Sequence, residues 1–353
     1  MVGTIDIKIE KVGESRLAEV DFNNIKFGRQ YADHMFIADY DGKDWQNFKI
    51  VPYQNISLSP ANPTIHYGQS VFEGLKAYKD ENNEVLIFRP EMNFQRLNIS
   101  AKRLMMPEIP EEIFMDGMHE LVSLDKNWVP GIEGTSLYIR PFMFAMDEYI
   151  GIRKSDTYRF MIITCPVGAY YSKPVKVRIE ENYTRAVKGG TGFAKTAGNY
   201  AASLYPAYLA QKDGYDQLLW TDGQSHKYIE ESGTMNIMFV VNDTLITAPT
   251  GDTILNGITR DSVLALARDW GMNVEVRPIS VVELVSAIES NELQEAFGVG
   301  TAATIANIEL IGYRDNDYQL DMSKRDFSIK VLEALNNIKT GRTEDKFNWN
   351  YKL

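Results

Sequence analysis

The stretch GGTGFAKTAGNY, Gly189 to Tyr200, decides the fold class predicted for this chain. Four glycines, two alanines and two threonines surround a single lysine, Lys195. Such small residues bury little apolar surface, so the segment depends on its contacts for order. They also leave space around the lysine amine. We therefore expect Lys195 to meet a ligand rather than solvent.

One interpretation of this stretch is a phosphate-binding loop, because GGTGFAKT approaches the pattern GxxxxGK[ST]. However, Ala194 stands where the pattern has its second glycine, which lets backbone N–H groups wrap a phosphate. The preceding residues, NYTRAVK, also lack the apolar strand that leads into such loops. A P-loop nucleotide-binding protein is therefore kept only as a remote alternative.

The composition is that of a globular protein with an acidic surface. The 353 residues favour two domains, and the net charge of −11 argues against nucleic acid or an anionic membrane as a partner. No apolar run approaches the ~20 residues of a membrane span, and the N-terminus lacks a secretory signal pattern. Four scattered histidines predict no metal site. The single cysteine, Cys165, fits a reducing, cytoplasmic location.

Hydrophobic periodicity predicts many strands with helices interspersed, an α+β or mixed architecture. The strand patterns cover 34–42, 84–90, 135–145, 158–167, 176–183, 216–232 (a hairpin), 235–249 (a pair), 273–280 and 295–300. The helix patterns cover about 92–105, 110–122, 199–212, 260–270, a segment from 280 and 323–338.

Three local details follow from these patterns. Tyr138 and Arg140 lie two apart in a strand and so should share one face. Thr259 is expected to be the N-cap of the helix at 260–270. Ser280 and Glu283 have the spacing of a capping box.

The domain boundary is expected where glycine, serine and proline separate two apolar strands, in VGAYYSKPVKV. We predict a small N-terminal α+β domain at 1–167 and a linker at 168–174. A large C-terminal domain at 175–353 would carry Lys195.

A second interpretation makes Lys195 a Schiff-base lysine for pyridoxal 5′-phosphate, which requires further groups. An acid must face the pyridine nitrogen, and Glu231 follows a hairpin strand. A helix N-terminus or bare backbone must receive the phosphate, and 256–262 and 298–304 suit this role. Each feature alone is ambiguous, since Glu231 could be a turn residue and Arg96 a solvated helix residue.

Eight blocks in one order resolve this ambiguity. The chain resembles the branched-chain amino acid aminotransferases, from about His34 to the last helix. The blocks are HYGQSVFEGLKAY, FRPEMNFQRLNISAKRL, YIRPFMF, CPVGAYY, GGTGFAKTAGNYAASL, EESGTMNIMFV, LNGITRDSVLALA and FGVGTAA.

The resemblance implies the two-domain fold type IV of pyridoxal-phosphate enzymes, like D-amino acid aminotransferase, with the cofactor at the domain interface. It implies transfer of the amino group of L-leucine, L-isoleucine or L-valine to 2-oxoglutarate, in biosynthesis or degradation. Lys195 would bind the cofactor and move the proton between substrate Cα and cofactor C4′, while Glu231 would pair with the pyridine nitrogen. The other matching cofactor positions are Tyr200 at the ring O3′, Arg185 nearby, and Arg96, Ile258, Thr259 and Thr301 at the phosphate.

The resemblance also assigns a substrate pocket. Thr301 and Ala302 would offer N–H groups to the α-carboxylate of the substrate. Arg140 would meet the distal carboxylate of glutamate, unless it only supports a buried strand. Four residues would line the side-chain pocket: Tyr67, Phe72, Tyr138 and Thr234.

A homodimer is implied as well, since Ile150 and Ile152 would reach over the pocket of the other subunit. One departure is that Ala303 and Ala306 stand where eukaryotic relatives carry a Cys-x-x-Cys pair, so the redox regulation linked to that pair is not expected. D-amino acid aminotransferase and aminodeoxychorismate lyase are the alternatives on the same fold. A catalytically silent binding protein is disfavoured because Lys195 and Glu231 are both present.

Overall fold

A computed structural model describes residues 5–168 and 173–353. The strands in this part of the chain are β1 Lys8–Ile9, β2 His34–Tyr40, β3 Trp45–Pro52, β4 Ser70–Phe72, β5 Leu75–Lys79, β6 Val85–Phe88, β7 Ser136–Ala145, β8 Tyr158–Val167, β9 Val175–Ile179, β10 Gln217–Thr221, β11 Ile229–Ser232, β12 Met235–Val241, β13 Thr244–Thr247, β14 Asn273–Val276, β15 Leu293–Gly300, β16 Thr304–Tyr313, β17 Asn316–Gln319 and β18 Asn350–Lys352. The α-helices are α1 Pro63–Tyr67, α2 Pro90–Arg103, α3 Glu111–Leu124, α4 Ala197–Lys212, α5 Ile258–Asp269, α6 Val281–Glu289 and α7 Asp326–Lys339.

The chain divides into two compact units that are not contiguous in sequence. The first contains the described residues up to Tyr170 together with Ala194–Ala197 and Asn336–Leu353. The second contains Gly198–Leu335 and the described residues of Tyr171–Phe193. Of the linker predicted at 168–174, residues 169–172 lie outside the described residues. The predicted domain bounds therefore stay a prediction.

The first unit is built on a 9-stranded sheet in the order β1-β3-β2-β8-β7-β5-β6-β18, with β4 paired to β7. β7 and β8 pair antiparallel along their whole length. Leu137, Ile139 and Met143 of β7 are buried in the main core, which includes side chains of α2 and α3. Because strand side chains alternate, Tyr138 and Arg140 belong to the opposite face, as their spacing predicted.

The second unit contains a 9-stranded sheet in the order β11-β10-β9-β16-β15-β12-β13-β14, with β17 paired to β16. An additional pairing of β11 with β12 closes six of these strands into a ring. Its apolar core includes Phe239, Leu219 and Ile311 of the strands together with Leu284 of α6. α6 begins with the predicted capping box, since Ser280 and Glu283 exchange both hydrogen bonds.

The predicted elements hold in type, but several of their bounds differ by two to four residues, as for β9, which ends at Ile179, and β14, which ends at Val276. The N-cap of α5 is Gly257 and not Thr259, which lies inside the first turn, so that prediction was wrong. A side chain at position 257 would overlap the Asn236 side chain, so a tertiary contact selects glycine at this cap. The last helix begins at Asp326, after a 3₁₀ turn at Met322–Lys324, three residues beyond the predicted start. No helix in the described ranges is long and apolar enough to cross a membrane.

Candidate active site

Lys195 is held in the first unit by hydrogen bonds of its own backbone and of its neighbour Thr196. Its N–H donates to Ser100 Oγ at 2.8 Å, and its carbonyl accepts the N–H of Phe72 at 3.0 Å. Thr196 forms a β-bridge with Val71 and donates its hydroxyl to the Ser70 carbonyl at 3.0 Å. These bonds order a segment whose small side chains cannot order it, and they fix the backbone from which the amine extends.

The Lys195 side chain extends toward an aromatic ring and a buried acid. Its Nζ lies 4.8 Å from the centroid of the Phe72 ring. The next residue, Glu73, is fully buried. Burial alone would raise the pKa of Glu73, but Arg96, with smaller contributions from Lys195 and Asn93, holds that pKa below its usual value. Glu73 is therefore an anion at neutral pH that interacts with Lys195, and sequence analysis missed it.

Arg96 forms a buried, bidentate ion pair with Glu73. Its Nε donates to Glu73 Oε1 at 2.7 Å and its second terminal nitrogen donates to Oε2 at 2.8 Å. Asn93 Nδ2, one turn earlier on α2, also donates to Oε2 at 2.7 Å. The interpretation of Arg96 as a solvated helix residue was wrong. Its assignment to the phosphate stays a prediction.

Phe72, Tyr138 and Arg140 form one cluster in the first unit. The Arg140 guanidinium lies 4.6 Å from the centroid of the Phe72 ring and donates to the Tyr138 hydroxyl at 2.9 Å. Phe27 packs edge-on against Tyr138, with centroids 5.1 Å apart. Gly74 is required here, because a Cβ at this position would overlap the Tyr138 hydroxyl. The structure thus brings three predicted pocket residues together, two aromatic rings and one cation.

The other predicted pocket residues of the first unit are exposed in the single chain. Tyr67 ends α1 and is 44% exposed. Ile150 and Ile152 lie on the loop between β7 and β8 and are 63% and 96% exposed. Their predicted roles stay predictions.

Glu231 is the centre of a polar network in the second unit. The residue is 3% exposed, and its Oε1 accepts the Asn236 amide and the Leu255 N–H, each at 3.0 Å. Its Oε2 lies 3.1 Å from Arg185 Nε, in ion-pair contact although the N–H is not aligned for a hydrogen bond. Arg185 also donates to the carbonyl of Gly192 at 3.2 Å and to that of Thr253. The carboxylate is therefore fixed in orientation and stays buried beside a cation.

The neighbouring Glu230 has a different environment. Its Oε1 accepts the Thr253 hydroxyl at 2.5 Å. Burial raises the pKa of Glu230, against smaller lowering contributions from Thr253 and Arg185.

Asn236, which sequence analysis missed, pairs with Glu231 across the β11–β12 hairpin. The turn at Ser232–Met235 was the signal that could have found it.

The two predicted phosphate-binding segments are helix and strand ends of the second unit. Ile258 and Thr259 are buried in the first turn of α5, whose N-cap Gly257 makes no side-chain cap hydrogen bond. Thr301 and Ala302 form the turn between β15 and β16. Gly298 and Gly300 before this turn pack against the Met235 side chain, where a Cβ would crowd it. A phosphate or carboxylate at the end of either segment would meet backbone N–H groups.

The remaining predicted residues of the second unit are less enclosed. Tyr200 is half-buried in the first turn of α4. Thr234 is exposed in the turn between β11 and β12. They share the unit with Glu231, Arg185 and α5.

Comparison with known proteins decides the family. Residues 70–311 match the model of the amino-transferase class IV family. The chain belongs to the class IV aminotransferases. The motif-based resemblance and the fold class are confirmed, and the P-loop alternative is excluded.

This class IV aminotransferase is similar to curated relatives over nearly its whole length. It is 46% identical to "Branched-chain-amino-acid aminotransferase 2" of Bacillus subtilis (strain 168) over 334 residues, 93% of this chain and 92% of the relative. It is 40% identical to "Branched-chain-amino-acid aminotransferase" of Mycolicibacterium smegmatis over 354 residues, 98% of this chain and 95% of the relative.

Solved structures have the same fold. The branched-chain aminotransferase of Thermoproteus uzoniensis with norvaline superposes with a TM-score of 0.74 at 26% identity, covering 90% of this chain and 99% of that one. A T.th. branched-chain amino acid aminotransferase complexed with N-(5′-phosphopyridoxyl)-L-glutamate gives a TM-score of 0.73 at 26% identity, covering 90% and 97%.

Class IV aminotransferases use pyridoxal 5′-phosphate, and the residues of the second unit fit this group. The fixed carboxylate of Glu231 is the partner that a protonated pyridine nitrogen needs. The N-terminus of the 12-residue helix α5 supplies a dipole and N–H groups suited to a phosphate. Cation, carboxylate and helix N-terminus therefore match the charges of the cofactor.

Proposed function

We propose that this enzyme transfers the amino group of L-leucine, L-isoleucine or L-valine to 2-oxoglutarate, giving branched-chain 2-oxo acids and L-glutamate. The fixed, buried Glu231 carboxylate carries the proposal for the chemistry. The choice of substrates is supported by the cluster of Phe72, Tyr138 and Arg140, which combines two aromatic rings with a cation. An apolar side chain can contact the rings, and a second carboxylate can meet the guanidinium.

The cofactor, when bound, supplies an aldehyde that links to amines and a pyridine ring that accepts electrons from the substrate carbon. In the proposed site, Glu231 holds a proton at the pyridine nitrogen. Arg185 keeps Glu231 in place. Tyr200 donates its hydroxyl at the ring O3′, and the first turn of α5, with Thr301 and Arg96, binds the phosphate.

Lys195 is the proposed catalytic base and acid. Its Nζ would take the proton from the substrate Cα and deliver that proton to C4′ of the cofactor. The N–H groups of Thr301 and Ala302 bind the α-carboxylate. Tyr67 and Thr234 complete the side-chain pocket, which excludes water from the reacting carbon.

We also propose that the working enzyme is a cytoplasmic homodimer. Ile150 and Ile152 of one subunit would cover the side-chain pocket of the other. Their exposure supports this, because isoleucine side chains that remain 63% and 96% exposed in one chain are suited to a contact outside it. Helix α4 also presents Leu204, Tyr205 and Tyr208 with more than half of each residue exposed.

A spectrum and a substrate panel test the function. Purified protein should be yellow, and it should convert leucine, isoleucine and valine with 2-oxoglutarate while leaving D-alanine and aminodeoxychorismate unchanged. Lys195→Ala should abolish turnover. Borohydride reduction followed by peptide mapping should place the cofactor on Lys195. A label on another lysine, or turnover of D-alanine alone, would contradict the proposal.

A further inference from the structure

The loop between β7 and β8 holds two isoleucine side chains exposed to solvent. It carries Ile150 and Ile152, which are 63% and 96% exposed. A flexible loop with two exposed isoleucines would collapse onto the nearest apolar surface. This loop instead contains many internal hydrogen bonds, which keep both side chains outward.

Asp147 closes the loop at its base. Its Oδ1 accepts the N–H and the hydroxyl of Thr157, at 2.9 and 2.7 Å. Its Oδ2 accepts the N–H of Asp156 at 3.0 Å and the guanidinium of Arg153 at 2.9 Å. Its own N–H donates to Ser155 Oγ at 3.3 Å. One residue therefore ties the start of the loop to four residues at its end.

The tip of the loop is ordered from the same point. The Arg153 guanidinium, held by Asp147, also binds Asp156 at 2.9 Å and lies 4.7 Å from the centroid of the Tyr149 ring. Gly151 leaves room for this ring, because a Cβ there would overlap it. Tyr149, Gly151 and Arg153 flank both isoleucines, so fixing these three residues restricts the backbone that carries the two side chains.

The base of the loop is anchored to the first unit. Ser155, only 2% exposed, donates its N–H to Gln69 Oε1 at 3.1 Å. Gln69 in turn accepts the Ala145 N–H on its carbonyl at 3.1 Å. The loop therefore has a defined orientation relative to β7.

The charge of Asp147 is the same throughout the physiological pH range. Burial alone would raise the pKa of Asp147, but the N–H groups of Asp156 and Thr157 and the hydroxyls of Thr157 and Ser155 lower it to about 2. Asp147 is therefore ionised at neutral pH, the form in which its carboxylate accepts these hydrogen bonds. Asp147 supplies a constant geometry rather than a switch.

We propose that Asp147 is a positioning residue for substrate selection, which holds Ile150 and Ile152 in the arrangement that covers the branched side chain in the partner subunit. This inference rests on the proposed function. A loop ordered beforehand loses no conformational freedom when substrate binds, so the contact is made at lower cost. Without Asp147 the isoleucines would have to be ordered at each binding event.

Steady-state kinetics of Asp147→Ala and Asp147→Asn test the role. We expect the KM for leucine to rise about 10-fold, equal to about 1.4 kcal/mol, with kcat changed less than about twofold. The matched control is Asp156→Asn, which removes the other carboxylate on Arg153 but keeps the N–H that binds Asp147. The control should keep the parental KM. If Asp147→Ala does not fold, Asp147→Asn alone decides.

Trypsin provides a readout that does not depend on activity. Arg153 and Lys154 are cleavage sites in the loop. Cleavage there, measured by mass spectrometry, should be at least about tenfold faster in Asp147→Ala than in the parent or in Asp156→Asn, because proteases cut locally open segments. Equal rates would show that Asp147 does not order the loop and would overturn the proposal.

Mixed dimers decide whether the loop acts on the partner. In the first, one chain carries Lys195→Ala and the other Asp147→Ala, so the live site receives an intact loop and should show the parental KM. In the second, one chain carries both changes and the other none, so the live site receives the altered loop and should show the raised KM. The reverse pattern, with a dimeric and active parent, overturns this inference alone. A monomeric or inactive parent overturns the proposed function and the inference with it.

Discussion

Replacing Arg140 with alanine should separate the two substrates of the proposed reaction. The guanidinium lies 4.6 and 5.2 Å from the centroids of the Phe72 and Tyr138 rings and donates to the Tyr138 hydroxyl at 2.9 Å. It is therefore held at the edge of an aromatic cluster. If it receives the distal carboxylate of glutamate and 2-oxoglutarate, its loss should affect these substrates most.

The expected magnitudes follow from the interactions that the substitution removes. A charged hydrogen bond to a carboxylate contributes about 2–3 kcal/mol, so glutamate and 2-oxoglutarate should bind about 30- to 150-fold more weakly. Leucine has no distal charge and loses only the support that the cation gives the two rings. Cation–aromatic interactions of this kind contribute about 0.5–1 kcal/mol, so the loss for leucine should stay below about tenfold.

Stopped-flow half-reactions measure the two sides separately, by following the cofactor absorbance with leucine and with glutamate. Tyr138→Phe is the matched control, since it removes the hydroxyl bound by Arg140 while keeping the charge and both rings. Tyr138→Phe should weaken the binding of glutamate by about 0.5–1.5 kcal/mol. Equal losses for leucine and glutamate in Arg140→Ala would mean that Arg140 only supports its strand, and the reasoning would be refuted.

Three further outcomes are expected. Glu231→Gln should keep the cofactor but lose most of kcat, while Glu230→Gln, whose carboxylate binds Thr253, should be much milder; the opposite ranking would show that the wrong neighbour was chosen. Glu73→Gln should lower the urea midpoint, because breaking a buried ion pair costs about 3–5 kcal/mol. The pKa of Glu73 in the folded protein is lowered from 4.5, so the stability that its charge contributes is present above that pH and is lost as the pH falls below it. The urea midpoints of the parent and of Glu73→Gln should therefore converge in acid. Cys165 should resist iodoacetamide at pH 8, since burial raises its pKa to about 11; peroxide inactivation that dithiothreitol reverses and that Cys165→Ser abolishes would contradict this.

Residue patterns predicted the elements well where the cause is local. The alternation in β7 placed Tyr138 and Arg140 on one face, and the spacing of Ser280 and Glu283 predicted a cap that forms as expected. Both depend on residues a few positions apart. The prediction for Thr259 failed because the cap of α5 depends on Asn236, which is 21 positions from Gly257 and excludes a side chain there.

The candidate site shows the same division. Eight blocks of sequence identified the family and predicted which lysine and which acid would meet the cofactor. They did not show that Arg96 is paired with Glu73 or that Asn236 holds Glu231, because each contact depends on how a helix or hairpin is placed against a strand. They also did not show that Asp147 closes the loop carrying Ile150 and Ile152.

The sequence by itself determined the strand and helix periods, the hairpins, and the small residues that leave Lys195 accessible. Only the tertiary structure decided what holds that lysine in place, namely Ser100 of α2 and Phe72 of β4, about a hundred residues earlier in the chain. The physical reason is range. Hydrophobic periodicity reports which face of a local element is buried, whereas a hydrogen bond or ion pair forms only where folding brings distant groups to within about 3 Å.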